Sequence, residues 1–310
     1  MILCCGEALI DMIPSATKSG RDGFVPHSGG AVFNTAIALG RLGARVGLLT
    51  ALSSDIFGQQ LLRDLKTSRV DPSLTVDTDR PTTLAFVRLE DGQARYAFFD
   101  ENSANRMLTY ADFPEIPAEV DTLFFGGISL AVEPGAAAFA ELAAKQGKGR
   151  VIMIDPNIRP GFIRDPLAYR ARLLSMITGA DIVKISDEDL DWLVPGSTAV
   201  DKRVESLRGE GPSVVIVTRG SAGADAWLRD GTKISVPSRK VDVADTVGAG
   251  DTFNAGILAH LAEAGLLTRD AIAAMSPKDV TAAVAFGAAV AAVTVSRTGA
   301  DAPWRHEVLA

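Results

Sequence analysis

The feature of this sequence that most constrains its fold is a series of short, mainly apolar runs, the first three of which are separated by helical segments. Four such runs lie in the middle of the chain, at Thr122–Gly126, Val151–Asp155, Ile182–Ile185 and Val214–Thr218. Runs that are apolar on both sides are typical of parallel strands covered by helices on both faces of a sheet. Together with an N-terminal strand at about Ile2–Ile10, they predict a doubly wound, mostly parallel α/β sheet flanked by helices.

A different pattern interrupts this alternation between residues 82 and 101. Two short strands, Thr83–Leu89 and Arg95–Phe99, flank the sequence Glu90-Asp91-Gly92-Gln93. Asp-Gly between two such runs indicates a β-hairpin. The polar, glycine-rich stretch Gly20–Gly30 is interpreted as a loop or excursion. The sequence therefore predicts a small accessory β-sheet that projects from the main body.

The remaining elements follow from the same periodicities. Val46–Leu52 is predicted as a second buried strand, and Ala226–Leu228 with Ile234–Val236 as an antiparallel pair. Two helices, at about Asp251–Ala264 and Pro277–Val295, close the chain.

Composition excludes several classes of protein. The 310 residues carry a formal net charge of −7, which argues against a nucleic-acid-binding footprint. The two cysteines, Cys4 and Cys5, are adjacent and would point to opposite faces of a strand, so no disulfide framework is possible. The weakly polar stretch Val280–Ser296 is better explained by a buried helix than by a membrane span. We therefore expect a soluble cytoplasmic protein without membrane or nucleic-acid partners.

Neither the dinucleotide-binding pattern nor the Walker pattern occurs. The candidate ligand sites are therefore two other glycine clusters. In the first cluster, Gly29 and Gly30 precede a helix that carries Asn34 one turn later. Glycines at a helix start allow close approach to free N–H donors, and the amide can donate to and accept from a hydroxyl. A plain loop-to-helix turn with a solvated Asn34 explains the pattern equally well.

The second cluster is Gly248-Ala249-Gly250-Asp251, before the predicted last-but-one helix. Residues with almost no side chain at a helix N-terminus form an anion-binding nest. We expect Asp251 beside it to stay ionised at neutral pH and to accept a proton while the nest stabilises a transferring phosphoryl group. The alternative is that Asp251 serves only as the N-cap of the helix.

Together the clusters resemble the two signatures of the phosphofructokinase-B family of carbohydrate kinases, which have the ribokinase-like fold. The first signature is matched by Gly29-Gly30, Asn34, Ala36 and Leu42-Gly43, and the second by Asp245-Thr246 and Gly248 to Asp251. The resemblance covers essentially the whole chain. It implies a single kinase domain over residues 1–310 with a β-sheet lid formed by about 12–30 and 82–101.

The resemblance also implies roles for individual residues in an ATP-dependent sugar kinase. Asp251 would be the catalytic base, with Gly248, Ala249 and Gly250 holding the phosphoryl charge. The sugar would be contacted by Asp11, Gly29, Gly30, Asn34, Phe98 and Arg159. ATP would be bound by Ser186, Thr218, Gly220, Gly223, Gly248, Gly250 and Gly287.

Metal ions enter only through this resemblance. Where the family has Asn-x-x-Glu, this chain has Ser186-Asp187-Glu188-Asp189, so Asp189, or Glu188 in its place, would hold Mg²⁺ through water. Asp245 and the backbone of Val247 match a potassium-binding loop, with a second loop near Arg297–Gly299.

The lid segment Tyr96–Ala104 and the segment Asp155–Arg159 look most like those of fructokinase-like family members. An acidic acceptor, 2-keto-3-deoxygluconate, is the alternative, with Arg95, Arg106 or Arg159 as its cation. A non-catalytic sugar-binding regulator on the same fold is the alternative of another class. Lid hairpins expose strand edges, so a homodimer joined through the lids is expected.

Overall fold

The computed structural model describes residues 1–90, 93–196, 199–209 and 211–308. The strands are β1 Ile2–Cys5, β2 Leu9–Ala16, β3 Asp22–Gly29, β4 Val46–Leu49, β5 Ala51–Ser53, β6 Val76–Thr78, β7 Leu84–Glu90, β8 Gln93–Phe99, β9 Thr122–Gly126, β10 Val151–Asp155, β11 Ile182–Ser186, β12 Val214–Thr218, β13 Ala224–Leu228 and β14 Lys233–Val236. The helices are α1 Ala31–Arg41, α2 Ile56–Thr67, α3 Gly135–Gln146, α4 Pro166–Thr178, α5 Asp187–Leu193, α6 Val200–Arg208, α7 Ala249–Glu263, α8 Arg269–Ala273, α9 Pro277–Val295 and α10 Arg305–Val308.

The main sheet of the described residues has eight strands in the order β14-β13-β12-β11-β10-β9-β1-β4. The strands from β12 to β4 run parallel, and β13 and β14 pair antiparallel at one edge. The strand order reverses at β1: the chain first continues to β4 on one side of β1 and later adds β9 on the other side. Ligands of open α/β sheets bind at such a switch point, beyond the carboxyl ends of the strands.

Two hydrophobic cores lie on opposite faces of this sheet. One core packs the sheet against α1, α2, α7 and α9, and the other against α3, α4, α5 and α6. Alternate strand residues enter alternate cores, as Cys4 and Cys5 illustrate. Both cysteines are free and fully buried. The predicted doubly wound arrangement is therefore confirmed.

The second sheet has four described strands in the order β3-β2-β7-β8. It is mainly antiparallel, although β2 and β7 run parallel. Leu9 and Ile10 at the start of β2 are buried, whereas the strand becomes exposed from Ile13 onward. This small sheet thus begins in the body and extends out of it. The Asp91-Gly92 turn lies outside the described residues.

Three sequence-based boundaries were wrong for identifiable reasons. The predicted strand Ile2–Ile10 is two strands, because Gly6 has φ +158° and the chain passes there from the main to the small sheet. Val46–Leu52 is likewise divided between β4 and β5. The predicted loop Gly20–Gly30 contains strand β3, whose polar residues are tolerated because the small sheet is not buried on both faces.

In the described part of the chain, α9 is the one helix long and apolar enough to cross a membrane, by length and composition alone. It packs closely on α7, where a Cβ atom at Gly256 would lie 2.6 Å from the Cα atom of Gly287. This contact is that of a core helix.

Candidate active site

The N-terminus of α1 is held by a buried carboxylate, Glu7. Its Oε1 accepts a hydrogen bond from the N–H of Ala31 at 3.0 Å, and its Oε2 accepts one from the N–H of Ser129 at 3.2 Å. Gly30, the residue before the helix, has φ +104°, and a Cβ atom there would lie 3.1 Å from Glu7. Gly30 therefore has a conformational reason to be glycine, and Glu7 fixes the helix start.

Asn34, one turn into α1, joins the two glycine clusters. Its Nδ2 donates to Oδ2 of Asp251 at 2.9 Å, although the two residues are 217 positions apart. The hydroxyl of Thr35 donates to the backbone carbonyl of Asp251 at 3.2 Å. The N-terminal ends of α1 and α7 therefore meet at Asp251, and Asn34 is not a solvated turn residue.

Helix α7 begins two residues earlier than the sequence pattern suggested. Its N-cap is Gly248 in the left-handed conformation, with φ +77°, so Asp251 lies within the first turn and is not the cap. The N–H groups of Gly250 and Asp251 precede the first intrahelical bond, which Thr252 donates to Gly248. Their position at the positive end of the helix dipole, beside a carboxylate, is the geometry that the predicted anion-binding nest requires.

The electrostatic state of Asp251 differs from the expectation of an ordinary ionised carboxylate. Burial raises its pKa to about 7; the nearby carboxylates of Asp155 and Glu7 contribute to this rise, while the Asn34 hydrogen bond and Lys184 oppose it. The cost of removing a charge from water outweighs the helix terminus. A pKa near neutrality suits a residue that must gain and lose a proton at working pH.

Asp11 and Gly29 are diagonal neighbours on the pair β2–β3, where Gly29 lies opposite Leu9 and Asp11 opposite His27. A Cβ atom at Gly29 would lie 2.2 Å from Oδ2 of Asp11, so only glycine leaves room for this carboxylate. Burial raises the pKa of Asp11 to about 6. Phe98 in β8 packs edge-on to Phe162, with ring centroids 4.2 Å apart. The inward face of the small sheet therefore covers the region that follows β10.

The strand ends β10 and β11 contribute residues that sequence reasoning missed as site residues. Lys184 donates from Nζ to Oδ2 of Asp155 at 2.8 Å, and Asn254 of α7 donates from Nδ2 to the same oxygen at 2.7 Å. All three side chains are buried. The sequence signal that could have identified Lys184 as a site residue is a charged residue within an apolar strand. Glu7 gives the same signal within the predicted strand Ile2–Ile10.

Ser186 and Asp189 lie at the start of α5. The Ser186 hydroxyl accepts the N–H of Asp189 as an N-cap, and Asp189 Oδ1 accepts the N–H of Ile158 at 3.2 Å. Burial raises the pKa of Asp189 to about 6, and the Asp155 charge adds to the rise. Glu188 is exposed. Of the two alternatives for a metal-facing carboxylate, Asp189 is therefore the one on the side of Asp155.

Arg159 lies four residues after the end of β10 and is exposed. Its guanidinium donates to the carbonyl of Ile158 at 3.1 Å. Within the described residues it forms no ion pair, so a surface ion pair does not account for it. Arg106, by contrast, pairs with Asp100 at 3.4 Å and donates to the carbonyl of Glu133. The side chain of Arg95 lies outside the described residues.

The loop from Thr218 to Gly223 links β12 to β13 beside the end of β11. It is closed by the N–H of Arg219, which donates to the carbonyl of Gly223 at 2.8 Å. Gly220 and Gly223 have φ +50° and +91°, values that favour glycine. Gly287, in contrast, is buried against Phe253 of α7. Close helix packing thus gives one reason for glycine there, and its assignment to the adenine site stays a prediction.

The two loops predicted to bind potassium are joined by Asp245. Its Oδ1 accepts the N–H of Val247 at 3.0 Å, and its Oδ2 accepts the N–H of Gly299 at 2.9 Å. The loop that precedes α7 and the loop that follows α9 therefore lie together.

Comparison with known proteins agrees with this geometry. The family model for pfkB family carbohydrate kinases matches residues 1–307. The chain belongs to this family. The predicted family and its ribokinase-like fold are thus confirmed, and the chain is a carbohydrate kinase that uses ATP.

Individual pfkB relatives carry the comparison further. The chain is 50% identical over 270 residues to a fructokinase of Rhizobium leguminosarum bv. trifolii, covering 87% of this chain and 82% of the relative. A fructokinase of Xylella fastidiosa with bound ATP superposes with a TM-score of 0.89 at 30% identity, covering 99% and 96% of the two chains. A double mutant of the Vibrio cholerae O395 fructokinase, with fructose, ADP and potassium bound, gives a TM-score of 0.82 at 25% identity, covering 96% and 93%.

Proposed function

We propose that the chain is a fructokinase that transfers the γ-phosphoryl group of ATP to a primary hydroxyl of fructose. The observation that carries the chemistry is the hydrogen bond between Asn34 and Asp251, which puts the sugar signature and the phosphate signature in one site. The choice of fructose is supported by the 50% identical relative. The small sheet formed by β2, β3, β7 and β8 acts as the lid of a single kinase domain.

In the reaction, the carboxylate of Asp251 accepts the proton of the acceptor hydroxyl. The new bond joins the acceptor oxygen to the γ-phosphorus, and the bond from that phosphorus to the bridging oxygen breaks, so that ADP leaves with the electron pair. The N–H groups of Gly250 and Asp251 stabilise the charge on the transferring group. Asn34 orients the carboxylate of Asp251. Asp11, Gly29 and Gly30 contact the sugar hydroxyls, and Phe98 and Arg159 complete the sugar site.

On the nucleotide side, Ser186, Thr218, Gly220 and Gly223 line the ATP site. No group of three or more His, Cys, Asp or Glu residues suited to a metal occurs in the described ranges. This fits Mg²⁺, which is usually held by one or two carboxylates, water and substrate phosphates. Asp189, buried beside Asp155, is the carboxylate that would hold it through water. When bound, the ion neutralises charge on the ATP phosphates.

Two further assignments belong to the same proposal. Asp245 and the backbone of Val247 hold K⁺ beside α7, supported by the junction of their two loops and by the potassium in the Vibrio cholerae relative. The reaction takes place in the cytoplasm, as the two free cysteines suggest. The second candidate acceptor, 2-keto-3-deoxygluconate, is favoured only by the unpaired Arg159.

The test is turnover of the purified enzyme with fructose, ribose, 2-keto-3-deoxygluconate, tagatose and nucleosides, measured by ADP release. Fructose should give the highest kcat/KM, and Asp251→Asn should lower kcat at least about 10³-fold while fructose binding by calorimetry is retained. Wild-type-like turnover in Asp251→Asn would refute the base assignment. Binding of fructose without turnover in the wild type would instead favour the non-catalytic alternative.

A further inference from the structure

The buried ammonium of Lys184 has no role in the chemistry described so far. It lies at the carboxyl end of β11, and Lys184 is among the buried charged residues of the protein. Of its three N–H donors, one is used by Asp155, and no second acceptor occurs within the described residues. Burying a charge is costly unless it is fully paired, so a partly paired ammonium at a strand end calls for a reason.

The position of the ammonium relative to α7 supplies that reason. A Cβ atom at Gly250 would lie 3.1 Å from Nζ of Lys184. Gly250 has no positive φ, so backbone conformation does not require glycine there. What glycine provides at this position is room for the ammonium against the first turn of α7, one residue before Asp251.

Asp155 and Asn254 hold the ammonium in this place. The carboxylate oxygen Oδ2 of Asp155 accepts from both Lys184 and Asn254, and Asn254 lies one turn after Asp251 in α7. The other oxygen, Asp155 Oδ1, is buried without a hydrogen-bond partner in the described residues. The network therefore ties the ends of β10 and β11 to the turn of α7 that carries the proposed base.

We infer that Lys184 is a further catalytic residue, whose ammonium contacts a γ-phosphate oxygen of ATP and stabilises it during transfer, with Asp155 and Asn254 as positioning residues. The inference rests on the proposed phosphoryl transfer at Asp251. A cation beside the N–H groups of Gly250 and Asp251 faces the same phosphoryl group as they do. Charge-assisted contacts of this kind are stronger in the transition state, where charge is redistributed.

The experiment compares Lys184→Met, Asp155→Asn and the double variant Lys184→Met/Asp155→Asn. Lys184→Met leaves Asp155 buried and unpaired, and it can fail for that reason alone. The double variant removes both charges, so it separates catalysis from folding. Lys145→Met is the matched control, because Lys145 lies on the surface of α3, where it pairs with Glu141 and lies over the ring of Tyr110.

We expect the double variant to unfold at a temperature close to that of the wild type and to have a kcat lower by about 10²-fold or more, as for loss of one transition-state donor. Asp155→Asn, which keeps the cation, should retain more activity than the double variant. If the double variant instead regains nearly wild-type kcat, Lys184 serves only to pair Asp155, and the inference is wrong.

A second measurement needs no sugar and no turnover. Calorimetry with a non-hydrolysable ATP analogue and with ADP should show that the double variant loses affinity for the triphosphate about tenfold or more. Affinity for ADP should change little, since ADP has no γ-phosphate. An equal loss for both nucleotides, or no loss for either, contradicts the γ-phosphate contact. Because this result is independent of the sugar, it distinguishes an error about Lys184 from an error about fructose.

Discussion

At the scale of the residue, the site is a set of carboxylates at different degrees of protonation. The pKa of Asp251 is raised to about 7 and that of Asp11 to about 6, both mainly by burial. Asn34 and Lys184 favour the charged form of Asp251, whereas Asp155 and Glu7 oppose it. The proposed base is therefore close to the midpoint between its protonated and ionised forms near neutral pH.

This balance predicts a pH profile. The base must be ionised to accept a proton. A plot of log(kcat/KM) for fructose against pH, at saturating MgATP, should therefore rise with unit slope below a pH of about 7 and level off above it. Acidification through that pH protonates Asp251 and removes activity, whereas alkalinisation leaves the carboxylate ionised. Because the pKa is raised, this loss occurs near pH 7 and not near pH 4.

Asp11→Asn provides the control for the profile, because it removes the other carboxylate with a raised pKa near the sugar. The limb near pH 7 should persist in this variant at a lower rate. A profile of the wild type that stays flat from pH 5.5 to pH 8.5 would mean that Asp251 does not carry the essential proton.

At the scale of the element, the apolar strands and the hairpin strands β7 and β8 were predictable, whereas the polar strand β3 was not. The runs Thr122–Gly126, Val151–Asp155 and Val214–Thr218 have the predicted bounds, since a strand buried on both faces leaves a continuous apolar signal. Strand β3 lacks that signal because it lies in the small sheet. The glycine clusters were recognisable in the sequence. The contact between Asn34 and Asp251 could not be predicted, because it depends on how α1 and α7 pack together.

The pairing of β2 with β3 makes a testable claim about the sugar side of the site. In Gly29→Ala the new Cβ atom would lie 2.2 Å from Asp11 Oδ2 and must displace the carboxylate. Loss of a hydrogen bond to a charged group corresponds to an increase in the fructose KM of about tenfold or more. The KM for ATP should change much less, because the residues proposed to bind ATP lie at the ends of other strands.

Gly179→Ala is the matched control, since its Cβ atom would meet only the carbonyl of Met176, at an ordinary 3.5 Å. Its steady-state constants should equal those of the wild type. An unchanged fructose KM in Gly29→Ala, with the protein folded, would remove Asp11 from the sugar site.

At the scale of the whole molecule, the small sheet has an apolar outer face. Phe24 and Phe99 are exposed there, and Phe86 packs edge-on between them. By strand alternation this face lies opposite the one that carries Asp11 and Phe98. Contiguous exposed apolar surface usually marks an interaction site. We propose that this face joins two copies of the chain into the expected homodimer.

Sedimentation velocity should therefore give a dimer for the wild type at micromolar concentration and a monomer for Phe99→Asp, since Phe99 is the most exposed aromatic residue of the proposed contact, at 63%. Leu174→Asp on α4 is the control: Leu174 is 40% exposed in the second half of a helix that packs against α3 and α6, and this variant should remain dimeric. A monomeric wild type, or a dimeric Phe99→Asp, would contradict the lid-to-lid arrangement.

The adjacent cysteines of β1 have a practical consequence for the study of lid closure. Cys4 and Cys5 are fully buried, and burial raises the pKa of both thiols, so neither forms the reactive thiolate readily. Maleimide dyes would thus find no competing thiol on the native surface. A pair of cysteines introduced at Ser19, beyond the tip of β2, and at an exposed position of α3 would report by energy transfer how far the small sheet moves when fructose and nucleotide bind.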